Sequence, residues 1–448
     1  MKLPLNKPSG SLAIEHVSPS RLITDPRNPR FHKPPQIASI ARSITTFGFN
    51  VPVLVDSADH IIAGHGRVAA ALKLGLETVP VVRIDHLSSV QQQAFAIADN
   101  RLTDTSGWNE RLLGEVLRDL TLVDLDFDLD VIGFSVGEID MKIESLGSVT
   151  VGDEADTPLV IPPGPPVMKL GDVFQCGKHR LMCGDALKLE SWIVLLNGVK
   201  ANMVFADVPY NLPVAGFVSG LGKHHHREFA MASSEMDRDE FTTFLADAFQ
   251  QMVAHTVPGS LAYVCMDFRH IGEMMAAGES AFSELKNLCV YVKPSGAMGS
   301  LYRSQHELVF VWKSGRGRHR NNVELGRNGR NRTNVWEYPS IAGFRHSEGG
   351  DLLATHPTCK PVNLVADAIL DVTARGDIVV DPFMGSGTTL IAAERVGRIA
   401  YGLEIDPIYC DAIVRRYQAL TGNTVVHSES GRTFDDIAAA ALDGEDVA

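Results

Sequence analysis

The stretch "DPFMGSGTTLIAAERVGRIAYGLEID", residues 381–406, decides the fold. The apolar run "DIVV" leads into Asp381, and two glycines one residue apart follow, Gly385 and Gly387. A helix-like run over 388–397 comes next, then "IAYGLEI" with Glu404 near its end. Strand, glycine turn, helix and strand make a unit of an α/β sheet. The glycines let backbone approach a ligand closely. A phosphate-binding loop needs Lys directly after the second glycine, where Thr388 stands, and a dinucleotide fingerprint needs a third glycine, where Leu390 stands. Neither phosphate motif fits. A carboxylate at the Glu404 position can accept both hydroxyls of a ribose. The geometry suits an adenosine-containing cofactor held without phosphate motifs.

Working outward, strands are predicted at "ANMVFAD", "SLAYVCM", "LCVYVKP", "HELVFVW", "DIVVDPF" and "IAYGLEI". Helices are predicted near 238–255, 361–375, 388–397 and 407–420, after a hairpin turning at Gly177-Lys178. Such alternation implies helices on both sheet faces and ligands at the carboxyl ends of strands. Five prolines between 158 and 166 mark a linker. Before it lies a small α+β domain, with Ile37, Ile40, Ile44 and Phe47 at helical spacing and Gly48 as the stop. The predicted boundaries are 12–105 for this domain, 106–147 for a helical extension, 148–167 for the linker, 168–421 for the body and 422–448 for a C-terminal tail.

Composition narrows the class. At 448 residues and 45% hydrophobic content, two or three cored domains are expected. No run of eighteen apolar residues predicts a membrane span, and the first residues lack a signal-length apolar stretch. Six scattered cysteines suit reduced thiols, and a cytoplasmic location is expected. A net charge of −13 argues against wholesale nucleic-acid coating while leaving local patches open.

A second strand end, "VFADVPYNL" (204–212), carries Asp207, Pro209 and Tyr210. Here the chain resembles the beta group of DNA amino-methyltransferases, whose signature Asp-Pro-Pro-Tyr stands as Asp207-Val208-Pro209-Tyr210. Residues 381–389 match the family's cofactor strand throughout, "HPTCKPVNL" (356–364) resembles the motif before it, and "MCGDAL" resembles the motif before the catalytic strand. The resemblance covers about 168–421. It implies a permuted Rossmann-like S-adenosylmethionine-dependent methyltransferase sheet acting on double-stranded DNA. It also implies Asp207, Pro209 and Tyr210 as catalytic, with Asp185, Lys360, Asp381, Phe383, Gly385, Ser386, Gly387, Thr388 and Glu404 around S-adenosylmethionine.

The implied chemistry explains the residue types. An exocyclic base amine is a poor nucleophile because its lone pair is delocalised into the ring. A carboxylate and a backbone carbonyl accepting its N–H bonds draw the lone pair out, and a tyrosine can stack on the extruded base. Valine at 208 replaces the family's first proline and costs rigidity. Asp at the first position favours adenine N6, with cytosine N4 as the alternative.

"AGHGRVAAALKLG" (63–75) resembles the box of the ParB/sulfiredoxin superfamily, over about 12–105. Gly64, His65 and Arg67 would bind a nucleotide phosphate at a helix N-terminus; His65 stands where a sulfiredoxin needs cysteine. The bland alternative is a docking module, and a regulatory protein with an inactive methylase half is the rival from another class. The stretch 313–332 holds seven Lys or Arg and one Glu, so Arg316, Arg318, Arg320, Arg327, Arg330 and Arg332 are expected to contact DNA. His224, His225 and His226 read as a polar loop rather than a metal site. No metal is expected, and a homodimer stays open.

Overall fold

The structure is a computed structural model. It describes residues 12–26, 28, 30–104, 107–123, 125–146, 154–156, 165–211, 235–293, 296, 301–323, 326, 332–338 and 360–443. The chain divides into two compact units, Met1–Gly147 and Ser148–Ala448.

The first unit has a four-stranded sheet in the order β1-β4-β2-β3, formed by β1 (Ile14–Val17), β2 (Val53–Val55), β3 (Ile61–Ala63) and β4 (Val79–Arg83). Helix α1 (Pro34–Phe47) starts on two prolines, whose missing N–H groups cost nothing in a first turn, and stops at Gly48 as the spacing predicts. Helix α2 (His65–Leu74) packs Val68 and Ala71 against Val53, Val55, Val79 and Val81. Three further helices follow, α3 (Ser89–Asp104), α4 (Glu110–Thr121) and α5 (Val136–Glu144). Strand β1 carries no readable alternation, because only Val17 of its four residues is buried.

The second unit holds a ten-stranded sheet. Its strands are β5 (Val173–Cys176), β6 (His179–Cys183), β7 (Ala201–Asp207), β8 (Thr256–Met266), β9 (Glu284–Val292), β10 (His306–Lys313), β11 (Val335–Glu337), β12 (Ile378–Asp381), β13 (Ile399–Glu404) and β14 (Val425–His427). Their order is β11-β9-β10-β8-β7-β12-β13-β6-β5-β14. The centre, β8-β7-β12-β13-β6, is parallel, and β9, β10, β5 and β14 add antiparallel pairings. Helices α6 (Leu189–Leu196), α7 (Arg238–Ala254), α8 (Ile271–Ala281), α9 (Val362–Val372), α10 (Thr388–Arg395), α11 (Pro407–Thr421) and α12 (Phe434–Asp443) connect and cover the strands.

Alternation along β7 shows why these strands read as continuous apolar runs. Met203 and Phe205 join one core with Val379, Leu390 and Tyr417, while Val204 and Ala206 join the other with Val380, Trp192 and Phe249. Both faces are covered, so the run from Met203 to Ala206 is apolar without interruption. Within the segment expected to be a C-terminal tail, β14 pairs with β5 as an edge strand, and Phe434 is fully buried against Phe174. Among the described residues no helix is long and apolar enough to cross a membrane.

Candidate active site

Strands β7, β12 and β13 run parallel side by side, so their final residues Asp207, Asp381 and Glu404 meet along one edge of the sheet. Between β12 and α10 the chain turns tightly. Gly387, at φ 78, sits in the left-handed region and abuts α11, where an added Cβ would stand 2.8 Å from Ile413 Cγ2. Only glycine meets both demands. Arg416 donates to the Ser386 carbonyl at 2.6 Å, Ser386 Oγ lies 3.0 Å from Thr388 Oγ1, and Thr388 Oγ1 donates to the Lys360 carbonyl at 3.4 Å.

The Glu404 carboxylate accepts the Gly385 N–H at 2.8 Å on one oxygen and the Asp406 N–H at 2.9 Å on the other. Each oxygen keeps a lone pair, enough for two hydroxyl donors. Asp381 accepts from Thr389 Oγ1 and from the Phe383 N–H, and Asp185 accepts the Leu187 N–H. Burial pushes both Asp381 and Glu404 up to about 7, against the hydrogen bonds they accept. Phe383 lies partly buried beside Phe244.

At the end of β7, Tyr210 donates its hydroxyl to Asp207 Oδ1 at 2.8 Å, and Pro209 lies between them in sequence. Val208, the departure from the family signature, is buried in the apolar core. Lys360, expected at the cofactor, turns its Nζ to Asp207, 2.6 Å from Oδ2, and lies 3.3 Å from the Tyr210 hydroxyl. It also lies 2.9 Å from Glu307, which pairs with Lys293 at 2.5 Å. Burial raises the Asp207 carboxyl despite the Lys360 charge, and burial also raises the Tyr210 hydroxyl. Burial works against the Lys360 ammonium, but the two carboxylates hold it well above its ordinary value. Glu307, equally buried, is lowered to about 2 by Lys360 and Lys293. Glu307 and Lys293 were missed. The readable signal was an acid inside the apolar strand "HELVFVW", since a buried charge demands a partner.

The basic stretch divides into an exposed part and a part tied into the fold. Strand β10 runs antiparallel to β8, so residues after Lys313 lie at the amino ends of β7 and β8, one strand length (~20 Å) from Asp207. Arg316, Arg318 and Arg320 are exposed there, with Arg320 4.0 Å from Asp377. Arg332 is committed to the fold: it contacts Asp367 and Asp371, each at 2.8 Å, and donates to the Tyr338 hydroxyl. Arg327, Arg330, His224, His225, His226 and residues 356–359 lie outside the described residues. Among the described residues no cluster of three or more His, Cys, Asp or Glu could hold a metal. In the first unit, Gly64, His65 and Arg67 gather at the N-terminus of α2, where Gly64 takes φ 108 and burial lowers both His65 and Arg67.

Residues 201–415 match the DNA methylase family, residues 6–101 the ParB N-terminal domain, and residues 111–170 the ParB-methyltransferase HTH domain. The chain is thus similar to a ParB N-terminal domain over its first part and, over a little under half its length, to DNA methylases. Over 87 residues it is 34% identical to the Type II methyltransferase M2.MboI of Moraxella bovis, covering 19% of this chain and 30% of that protein. Over 94 residues it is 37% identical to M.BglII of Bacillus subtilis, covering 21% and 24%. The matches thus span less than a third of the length of these curated relatives. A putative DNA modification methylase of Thermus thermophilus, solved with S-adenosyl-L-methionine, is 21% identical with a TM-score of 0.38, covering 54% of this chain and 93% of that one. The span matched to DNA methylases contains every catalytic residue expected from the sequence and Lys360, Asp381 and Glu404, whereas Asp185 precedes it.

Proposed function

We propose that the chain is a DNA methyltransferase that moves a methyl group from S-adenosylmethionine to the exocyclic N6 amine of adenine. One observation carries this reading: the Asp207 carboxylate, with Tyr210 bonded to it, stands at the end of the strand adjoining the Asp381 cofactor loop. In this reading the loop 383–388 and Glu404 hold the cofactor. Gly385 and Gly387 bring backbone to it, and Glu404 accepts its ribose hydroxyls through the two lone pairs left free by Gly385 and Asp406. Bound there, the cofactor supplies a methyl on a sulfonium, whose S–C electrons return to sulfur as the N–C bond forms. Asp207 accepts one amine N–H, the backbone at Pro209 takes the second, and the nitrogen lone pair is thereby freed for attack. Tyr210 stacks on the extruded base, and one amine proton leaves by way of Asp207. Fixed positioning supplies most of the acceleration, since the donor is already activated. In the first unit, the Gly64–Arg67 turn is assigned an anionic nucleotide ligand, on its helix N-terminus and guanidinium.

Two outcomes test the cofactor half. Glu404→Ala removes a charge-assisted acceptor, which contributes about 1.5–3 kcal/mol, so cofactor affinity is expected to fall about ten- to a hundredfold by calorimetric titration. An unchanged dissociation constant removes Glu404 from the site. In the wild type, a carboxyl raised to about 7 is protonated below that pH and a full acceptor above it. Cofactor affinity is therefore expected to rise between pH 6 and pH 8, and Glu404→Gln is expected to lack that portion of the rise. Transfer of labelled methyl from S-adenosylmethionine into bacterial genomic DNA tests the whole reading; DNA that stays unlabelled by a cofactor-binding protein contradicts it.

A further inference from the structure

We propose that Glu307 is a positioning residue of the methyl-transfer site: anchored by Lys293, it holds the Lys360 ammonium against the Asp207 carboxylate and so fixes that carboxylate for the target amine. The inference rests on the methyltransferase reading above and deepens it.

The argument begins with burial. Glu307 is the second residue of β10, and its side chain is only 8% exposed. An unpaired carboxylate there would be strongly disfavoured by lost hydration, so it must be held by partners. Its oxygens have one each: Oε1 lies 2.5 Å from Lys293 Nζ, at the end of β9, and Oε2 lies 2.9 Å from Lys360 Nζ. Lys360 is itself 5% exposed, and it continues the chain to Asp207 Oδ2 at 2.6 Å. Sheet register explains the reach. Asp207 pairs with Cys265 of β8, and Leu308, next to Glu307, pairs with Met266. Glu307 thus stands one strand beyond β8, on the same sheet edge as Asp207.

The consequence is electrostatic. Two carboxylates and two ammoniums balance, so the Lys360 charge is shared between Glu307 and Asp207. It occupies Oδ2 alone, leaving Oδ1 on the side where Tyr210 now donates and an amine N–H would replace it. Among the described residues, the other titratable groups near the cluster are Tyr210, Cys265 of β8, Tyr291 of β9, Asp381 of β12 and Asp156. Burial raises Tyr210, Cys265 and Tyr291, which therefore stay neutral and add no competing negative charge, and it raises Asp381 to about 7, so that Asp381 adds negative charge only as the pH climbs through that value.

Three variants of the full chain test the relay through the pH dependence of single-turnover methyl transfer. Lys360→Met leaves Asp207 facing Glu307 without an ammonium, so the acid limb is expected to move to higher pH and the rate at pH 7 to fall at least about tenfold. Glu307→Gln removes a negative neighbour and leaves Lys360 to Asp207 alone, so the acid limb is expected to move to lower pH. The maximal rate should drop severalfold as the ammonium loses its anchor, with cofactor affinity within about twofold of wild type. Lys293→Met, at a side chain one-third exposed, tests the outer end of the same chain: Lys360 is drawn toward Glu307 and the acid limb rises. Opposite shifts for Lys360→Met and Glu307→Gln support the relay. Variants that lose stability while every acid limb stays at the wild-type position overturn it.

The methyltransferase reading fails separately, through a wild-type chain that methylates no DNA. In that case the carboxyl carbon resonance of Asp207, assigned with Asp207→Asn, is titrated in the free protein. Opposite displacements in the same two variants support the positioning, and identical titrations overturn it.

Discussion

Replacing Asp207 with alanine is expected to lower methyl transfer by at least about a thousandfold, because the group that accepts the target N–H and draws out the nitrogen lone pair is lost. The remaining machinery stays in place. Lys360 keeps Glu307 at 2.9 Å, so its buried ammonium is still paired, and the loop 383–388 is built by contacts that do not involve Asp207. Cofactor affinity should therefore change less than about threefold, and the protein should remain folded. Single-turnover transfer with calorimetric cofactor binding separates the two quantities. Retention of more than about a tenth of wild-type transfer would contradict the assigned role.

Arg332→Ala is expected to destabilise the second unit by about 3 kcal/mol, the scale of removing one partner from a buried ion-pair network. Its guanidinium meets Asp367 and Asp371 on α9, donates to Tyr338 and lies 5.4 Å over the Trp336 ring. Truncation would take a cationic partner from two carboxylates, that of Asp367, which keeps the Tyr338 hydroxyl, and that of the buried Asp371. A lower denaturant midpoint with an unchanged salt slope of DNA binding is the expected pair of results. An unchanged midpoint together with a log–log slope reduced by about 0.9 would restore Arg332 as a phosphate contact.

That arginine shows where sequence reading stops. Positive charge between two motifs says that a segment is polar, but the far end of β10, which carries it away from Asp207, is a matter of strand direction. The parallel centre was legible because β7, β12 and β13 are buried on both faces and end in acids. Their shared edge followed from the alternation with helices. The partner of each acid was not legible. Lys360 reads as part of a cofactor motif, and only the fold turns its Nζ toward Asp207 and Glu307, 153 positions before it in one case. Short elements were lost for another reason. Strands β1, β11 and β14 have three or four residues each, too few for a period of two to register, and they form through pairing with longer neighbours.

The central claim is that a carboxylate at the end of β7 directs methyl transfer to an exocyclic base amine. Its most direct test is the identity of the product. Genomic DNA is incubated with the protein and S-adenosylmethionine labelled in the methyl group, digested to nucleosides and resolved by mass spectrometry. The account predicts label in N6-methyldeoxyadenosine. Label in N4-methyldeoxycytidine would keep the amine chemistry and overturn the choice of base, whereas label at a ring carbon, or none in DNA, would contradict the account itself.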